Sequence, residues 1–177
     1  SNWTNEIRRA YDYDNTSGLI RSVSEHKWDI ANNIWIGNWR HEYRYDERQN
    51  LTGSTAFFWN SDNNNWVLNL REEREYDNAN RCIISVSYYR DRANNIWIGD
   101  QKSVFIYNTT GKIQKQTDFF WDASTLQWLA SFERNYTYDA QSSLLEWSVK
   151  QWDRDRKIWV DWWKVEHLLD ASSNTIR

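Results

Sequence analysis

An all-β antiparallel meander of about eleven strands is the fold class this sequence predicts, on three observations. Trp35, Trp66, Trp97, Trp128 and Trp159 stand 31 residues apart, and Trp3 lies 32 before Trp35. Between them, stretches of about ten residues alternate side-chain character with a period of two. Polar connections rich in Asn and Asp separate those stretches. Five full repeats and a truncated sixth fill residues 1–177 as a single repeat domain, with repeats starting near Trp3, Trp35, Trp66, Trp97, Trp128 and Trp159.

The second repeat shows the elements in order: WIGNWRHEYRYD, ERQN, LTGSTAFFWN and SDNN. In the first strand Trp35, Gly37, Trp39, His41, Tyr43 and Tyr45 share one side of the alternation. Ile36, Asn38, Arg40, Glu42 and Arg44 share the other. A helix does not sort these residues by face, because Arg40 and Glu42 then fall among the aromatics. Short connections make consecutive strands antiparallel neighbours. Pairing Tyr45 with Leu51 places Trp39 opposite Phe57, and the next turn places Trp59 beside Trp66. The same register sets Trp28 by Trp35, Trp121 by Trp128 and Trp152 by Trp159. In the third repeat Arg90 takes the tryptophan slot beside Trp97, where a guanidinium can lie on the indole. The first repeat carries one extra turn residue, in DNTSGLI, as does the last, in DASSNTI.

On the face away from the tryptophans this reading places a basic row, Arg8, Arg40, Arg71, Lys102 and Lys164, broken by Glu133. An apolar strip of Phe58 with Val67, Tyr89 with Ile98 and Phe120 with Leu129 interrupts it. A sheet this wide twists until it curls, splits or closes. A curled sheet, a barrel and a spiral shell all satisfy the pattern.

Composition excludes several classes. The hydrophobic share is 40% and the aromatic share 17%, so burial rests on Trp, Tyr and Phe. A formal charge of −3 provides no basic footprint for nucleic acid. No apolar run approaches the ~18 residues of a membrane helix, so no membrane insertion is expected. The single Cys82 cannot form an internal disulfide, and it shares its repeat slot with Ile20, Leu51, Ile113 and Leu144. The sequence starts at Ser1 and has no Met, which suggests a processed form or a piece of a longer array.

No arrangement of residues announces chemistry. The Asp that follows each repeat Tyr (Asp14, Asp46, Asp77, Asp139, with Asn108 in the fourth repeat) suits capping of the next turn. Equivalent Asp residues lie two strands apart, about 9–10 Å, too far to share a calcium ion. His26 and His41 fall on one face of neighbouring strands but four residues out of step, and His167 occupies a third slot, so no metal site is expected. No catalytic residue and no cofactor is assigned. Asn2, Asn15, Asn50, Asn108 and Asn135 open Asn-x-Ser/Thr sequons, and Asn15, Asn50 and Asn108 fall at turns that accept a glycan.

The segments YRYDERQNL, YTYDAQSSLL and FIYNTTGKI resemble YD repeats, the β-hairpin units of RHS-type shells and related secreted bacterial arrays. Those units are shorter and carry a more regular glycine after the Asp. Here only Gly18 and Gly111 take that place, and the tryptophans are additional. The longer unit with this Trp spacing is similar to secreted repeat arrays of Bacteroidetes. The resemblance implies an extracellular or cell-surface β-structure and carries over no catalytic residue.

Three functions are compatible with this reading. The first is a structural or adhesive module acting by association with itself through its edge strands. The second is a carbohydrate-binding module that lays aromatic rings on a surface polysaccharide, with Trp39, Trp59, Trp66, Trp121, Trp128, Trp162 and Trp163 as candidate ligand residues. The third is a glycan-active enzyme with closely opposed carboxylates.

Overall fold

The structure is a computed structural model and describes residues 6–167. Trp3, the Asn2 sequon and the DASSNTI turn lie outside the described residues. Eleven strands follow one another: β1 (Ile7–Tyr13), β2 (Ile20–Asp29), β3 (Ile34–Tyr45), β4 (Leu51–Asn60), β5 (Asn65–Tyr76), β6 (Cys82–Asp91), β7 (Ile96–Tyr107), β8 (Ile113–Asp122), β9 (Gln127–Tyr138), β10 (Leu144–Asp153) and β11 (Ile158–Glu166). The hydrogen-bonded order is the chain order, β1 through β11, in one antiparallel meander. β1 and β11 end that order without pairing to each other, so the sheet does not close into the barrel that the pattern also allowed. The chain divides into two compact units, residues 6–74 with 87–98 and residues 75–86 with 99–167.

In the first unit the Trp register is the expected one: Trp28 pairs with Trp35 and Trp59 with Trp66. The rest of the register differs, because each long strand holds one extra residue three places after its tryptophan. His26 pairs with Gly37 but Glu25 with Trp39, leaving Asn38 as a β-bulge. Phe57 pairs with Leu68 but Ala56 with Leu70, leaving Asn69. A bulge interrupts the strict alternation of side chains and re-aims the residues beyond it. Trp35 and Gly37 therefore share a face with Arg40 and Glu42, whereas Trp39, His41 and Tyr43 join Ile36 on the other. The single aromatic face expected from strict alternation is thereby corrected, and His26 and His41 lie on opposite faces. Trp39 pairs with Phe58, not Phe57, because Thr52 is a second bulge near the Tyr-Asp turn.

The second unit repeats both devices. Trp121 pairs with Trp128 and Trp152 with Trp159. Ser131 and Trp162 are the bulged residues of β9 and β11. Gln114 and Leu145 are the bulges at the Tyr-Asp end.

Two kinds of turn punctuate the strands. After each Tyr-Asp, a left-handed residue closes the turn: Gly18, Gln49, Asn80, Gly111 and Ser142, with φ from 59° to 82°. The Gln49 N–H donates to the Asp46 carbonyl, and Asn80, Gly111 and Ser142 repeat this toward Asp77, Asn108 and Asp139. In the first repeat the donor is Gly18, one residue later, which is the extra residue read from the sequence. The second turns place Asn33, Asn64, Asn95, Leu126 and Lys157 in the left-handed region. Asn tolerates that region far better than Leu or Lys.

Burial is shallow. The buried apolar side chains are Val23, Val86 and Val149, and no large side chain among the described residues is fully buried.

Leu126 is 62% exposed with φ 54°, and three equivalent turns use Asn. Leu126→Asn is expected to stabilise the protein by roughly 1 kcal/mol in urea unfolding, by removing the left-handed penalty on a branched side chain. A midpoint unchanged or lowered would show that the Leu126 side chain contributes packing that offsets the strain.

Candidate functional site

The tryptophans are arranged in two ways. On one face of each unit, cross-strand pairs meet edge to face. Ring centroids are 5.3 Å apart for Trp28–Trp35, 5.0 Å for Trp59–Trp66, 5.2 Å for Trp121–Trp128 and 5.2 Å for Trp152–Trp159. Such pairs contribute ~0.5–1.5 kcal/mol beyond area burial. In the third repeat the Arg90 guanidinium lies 5.2 Å from the Trp97 ring, the cation–π contact expected in its place.

The Trp59–Trp66 and Trp121–Trp128 pairs lean over the long strand that precedes them, and the residue two places after that strand's tryptophan makes room. A Cβ on Gly37 would stand 2.6 Å from Trp59 Cε3 and 2.8 Å from Trp66 Cη2. A Cβ on Gly99 would stand 2.6 Å from Trp128 Cη2 and 2.7 Å from Trp121 Cε3. Where the following pair is Arg90 with Trp97, the slot holds Leu68; ahead of Trp152 and Trp159 it holds Ala130. This dependence was not read from the sequence. Its signal was the recurrence of Trp-Ile-Gly in WIGN and WIGD only before a Trp–Trp pair.

The basic residues share the face of the tryptophan pairs, which corrects their expected placement opposite. In the first unit Arg8 lies 4.9 Å over Trp35, Arg40 5.9 Å over Phe57, and Arg71 4.7 Å over Tyr88 and 5.0 Å over Trp97. Arg40 and Arg71 also pair with Glu42 and Glu73, at 2.6 and 3.4 Å. In the second unit Lys102 lies 5.2 Å over Phe119. Glu133, the break in the row, is buried and accepts from Lys115 at 2.5 Å.

The other face carries the second arrangement. In the first unit Trp39 meets His41 edge-on at 5.3 Å, and His41 stacks on Tyr43 at 6.3 Å. Arg92 covers the Phe58 ring at 3.9 Å. In the second unit Arg154, in the equivalent turn two repeats on, covers Phe120 at 3.9 Å. Trp162 stacks on Phe132 at 5.2 Å and Trp163 meets Trp147 edge-on at 4.5 Å. Of the seven candidate ligand residues, Trp39, Trp59, Trp66, Trp121 and Trp128 are half-buried in these contacts. Trp162 and Trp163 remain 61% and 49% exposed.

The turn carboxylates cap backbone. Asp46 Oδ1 accepts the N–H groups of Arg48 and Asn50, Asp77 those of Ala79 and Arg81, and Asp139 those of Gln141 and Ser143. Asn108 does the same for Thr110 and Lys112, so the neutral amide suffices. A second capping row escaped the sequence reading. Asp29, Asp91, Asp122 and Asp153, with Asn60, accept N–H groups at the tryptophan-end turns. The 31-residue recurrence of these residues was the available signal. The carboxyl groups of Asp46 and Asp77 lie below the usual carboxylate range, held there first by the Asn50 amide and by the Arg81 guanidinium respectively. Asp29, Asp91 and Asp122 are lowered by side-chain donors from Asn32, Asn94 and Ser124, and Asp14 and Asp153 chiefly by backbone N–H groups.

The repeat tyrosine ties strands together. Tyr107 donates its hydroxyl to the Cys82 carbonyl at 2.7 Å and Tyr138 to the Ile113 carbonyl at 2.8 Å. Burial raises both phenols above the usual tyrosine range. Of the turn sequons, Asn15 is exposed, the Asn50 amide donates to Asp46 at 2.9 Å, and Asn108 caps its turn. Among the described residues no group of three or more His, Cys, Asp and Glu side chains has the arrangement to hold a metal ion.

A family of unknown function, DUF3836, matches residues 36–96. Two crystal structures of DUF3836 proteins are similar over 52% of this chain. One is from Parabacteroides distasonis, with 20% identity, 82% of its own chain covered and a TM-score of 0.42. The other is from Bacteroides vulgatus, with 22% identity, 90% covered and a TM-score of 0.40. A protein of unknown function from Bacteroides fragilis is similar over 90% of this chain and 91% of its own, at 14% identity and a TM-score of 0.32. No protein of curated function matches.

Two outcomes test this geometry. Gly37→Ala and Gly99→Ala should each destabilise by about 1–3 kcal/mol in urea unfolding, the cost of overpacking against indole carbons. Ala130→Gly, where a Cβ is already accommodated, should not stabilise; equal effects at all three sites would remove the spacing argument. The lowered turn carboxylates set the pH response. Their folded values lie below the unfolded ones, so their contribution is fully present above the unfolded carboxylate range. It is lost as pH falls through the folded values. Thermal midpoints should therefore stay level from about pH 7 to 5 and fall below about pH 4. A midpoint that rises on acidification would contradict the capping role.

Proposed function

We propose that the chain is a β-repeat module that works by association at the cell surface or outside the cell, without catalysing a reaction. One observation carries this reading: aromatic side chains occupy both faces of each unit, and none of the large ones among the described residues is fully buried. Apolar surface of this extent gains free energy when a partner removes it from water. The edge strand β1 adds to it. All seven of its residues are exposed, including Ile7 at 57%, Tyr11 at 50% and Tyr13 at 49%. Among the described residues it pairs only with β2, and Arg8, Arg9 and Asp12 blunt only part of an edge that can template a further strand. The Tyr-Asp turns support kinship with YD-type hairpin arrays, and that kinship in turn supports an extracellular setting.

A carbohydrate-binding role is the second reading, favoured by the exposure of Trp162 and Trp163.

Light scattering over a concentration series tests the first reading. The purified chain should exceed the mass of one chain as concentration rises, and Tyr11→Lys with Tyr13→Lys should lower that mass by charging the β1 edge. A single-chain mass at every concentration would refute self-association.

A further inference from the structure

We propose that Trp162 and Trp163, aimed to one face by the bulge of β11, form with Phe132, Trp147 and Arg134 a subsite for a neutral saccharide. The proposal deepens the second reading above and does not depend on self-association.

The bulge is the first observation. Val149 pairs with Trp163 and Lys150 with Asp161, so Trp162 is the extra residue. Two neighbouring indoles thus serve one face: Trp162 stacks on Phe132 with 28° between planes, and Trp163 meets Trp147 at 77°. A regular strand would have sent them to opposite sides.

The second observation is that the fold does not need a ring at the bulge itself. The equivalent bulges are made by Asn38, Asn69 and Ser131. A tryptophan 61% exposed in a slot that Asn and Ser occupy in the equivalent strands is not required to form the bulge. Exposed aromatic surface without a structural role is the usual mark of a binding surface.

The third observation is the recess beside them. Arg134, Trp147, Val149, Trp162 and Trp163 line a groove of about 480 Å³, within the ~300–1,000 Å³ range of small-ligand sites. Its floor, Val149, is only 3% exposed.

Charge selects the ligand class. The Arg134 guanidinium is paired with Asp118. Among the described residues no other cation lines the groove, so none is left over for an anionic group. The Arg134 fork has more N–H donors than one carboxylate uses, so it can still donate to hydroxyls. Indole faces with hydroxyl-directed donors suit a pyranose ring, whose polarised C–H bonds rest on the negative face of the indole. They suit an anionic glycan poorly.

The test is calorimetric titration with cellohexaose, xylohexaose, mannohexaose and, as the anionic comparison, hexagalacturonate. At least one neutral hexaose should bind. Trp162→Ser, which copies the Ser131 bulge and so should fold, and Trp163→Ala should each weaken that binding about tenfold. Trp163→Phe should restore part of it, and Trp152→Phe, on the other face of the same unit, should change nothing. Circular dichroism checks that each variant folds; should Trp163→Ala fail to fold, Trp162→Ser decides. No binding of a neutral hexaose at millimolar concentration, binding of hexagalacturonate alone, or binding that survives Trp162→Ser would overturn the proposal. Light scattering separates it from self-association: a single-chain mass with intact hexaose binding sinks only the latter. Multimers that bind no hexaose sink only the subsite.

Discussion

One extra residue in each of the long strands β3, β5, β9 and β11 decides what each face carries. The strand enters with Trp35, Gly37 and their equivalents toward one side. Beyond the bulge at Asn38, the next aromatics point to the other. Without it Trp35, Gly37, Trp39, His41 and Tyr43 would form a continuous stripe, and the opposite face would be Ile36 followed by polar and charged groups. With it, both faces receive rings near the tryptophan end, and the charged residues Arg40 and Glu42 return to the face of the Trp pairs. At Gly37 and Gly99 the Trp–Trp pair that follows comes close enough to the neighbouring strand that a Cβ there would collide with indole carbons.

Much of the fold was legible because the repeat supplies five versions of one argument. The 31-residue period, the antiparallel hairpins and the tryptophan pairs across each second turn all follow from spacing and side-chain type. The bulges did not follow, and the reason is physical. A bulge adds a residue without changing the period-two pattern visible in the letters, since Trp39 and His41 alternate as regularly after Asn38 as Trp35 and Gly37 do before it. Register is a property of two strands, and the letters are silent on it: the Tyr45–Leu51 and Trp59–Trp66 pairings belong to different strand pairs and each extends without conflict on paper, whereas within each pair the structure steps the register by one residue. The exposure of Trp162 and Trp163 was equally hidden, because it depends on which residues neighbour them on β9 and β10.

Shallow burial still has to support a stable sheet, and arginine and lysine supply part of the cover that a second layer gives in other β-proteins. Their stems are apolar while their heads stay in water, so a side chain laid across a ring removes area without burying a charge. Arg8 on Trp35, Arg71 on Tyr88 and Trp97, and Arg92 on Phe58 do this in the first unit. Lys102 on Phe119 and Arg154 on Phe120 do it in the second. Some of these heads are then held by a carboxylate two residues along, as Arg71 is by Glu73. An exposed ion pair alone contributes little. Here its effect is to hold the stem over the ring, so the pair acts through apolar contact. This accounts for a sequence that is 27% charged and yet rests its burial on aromatics. It also marks Trp162 and Trp163 as different. Ring contacts hold both, but among the described residues no arginine or lysine lies across either in the way Arg92 and Arg154 cover their phenylalanines. The means of covering a ring is present in both units and is not applied at the place where two tryptophans stand most exposed.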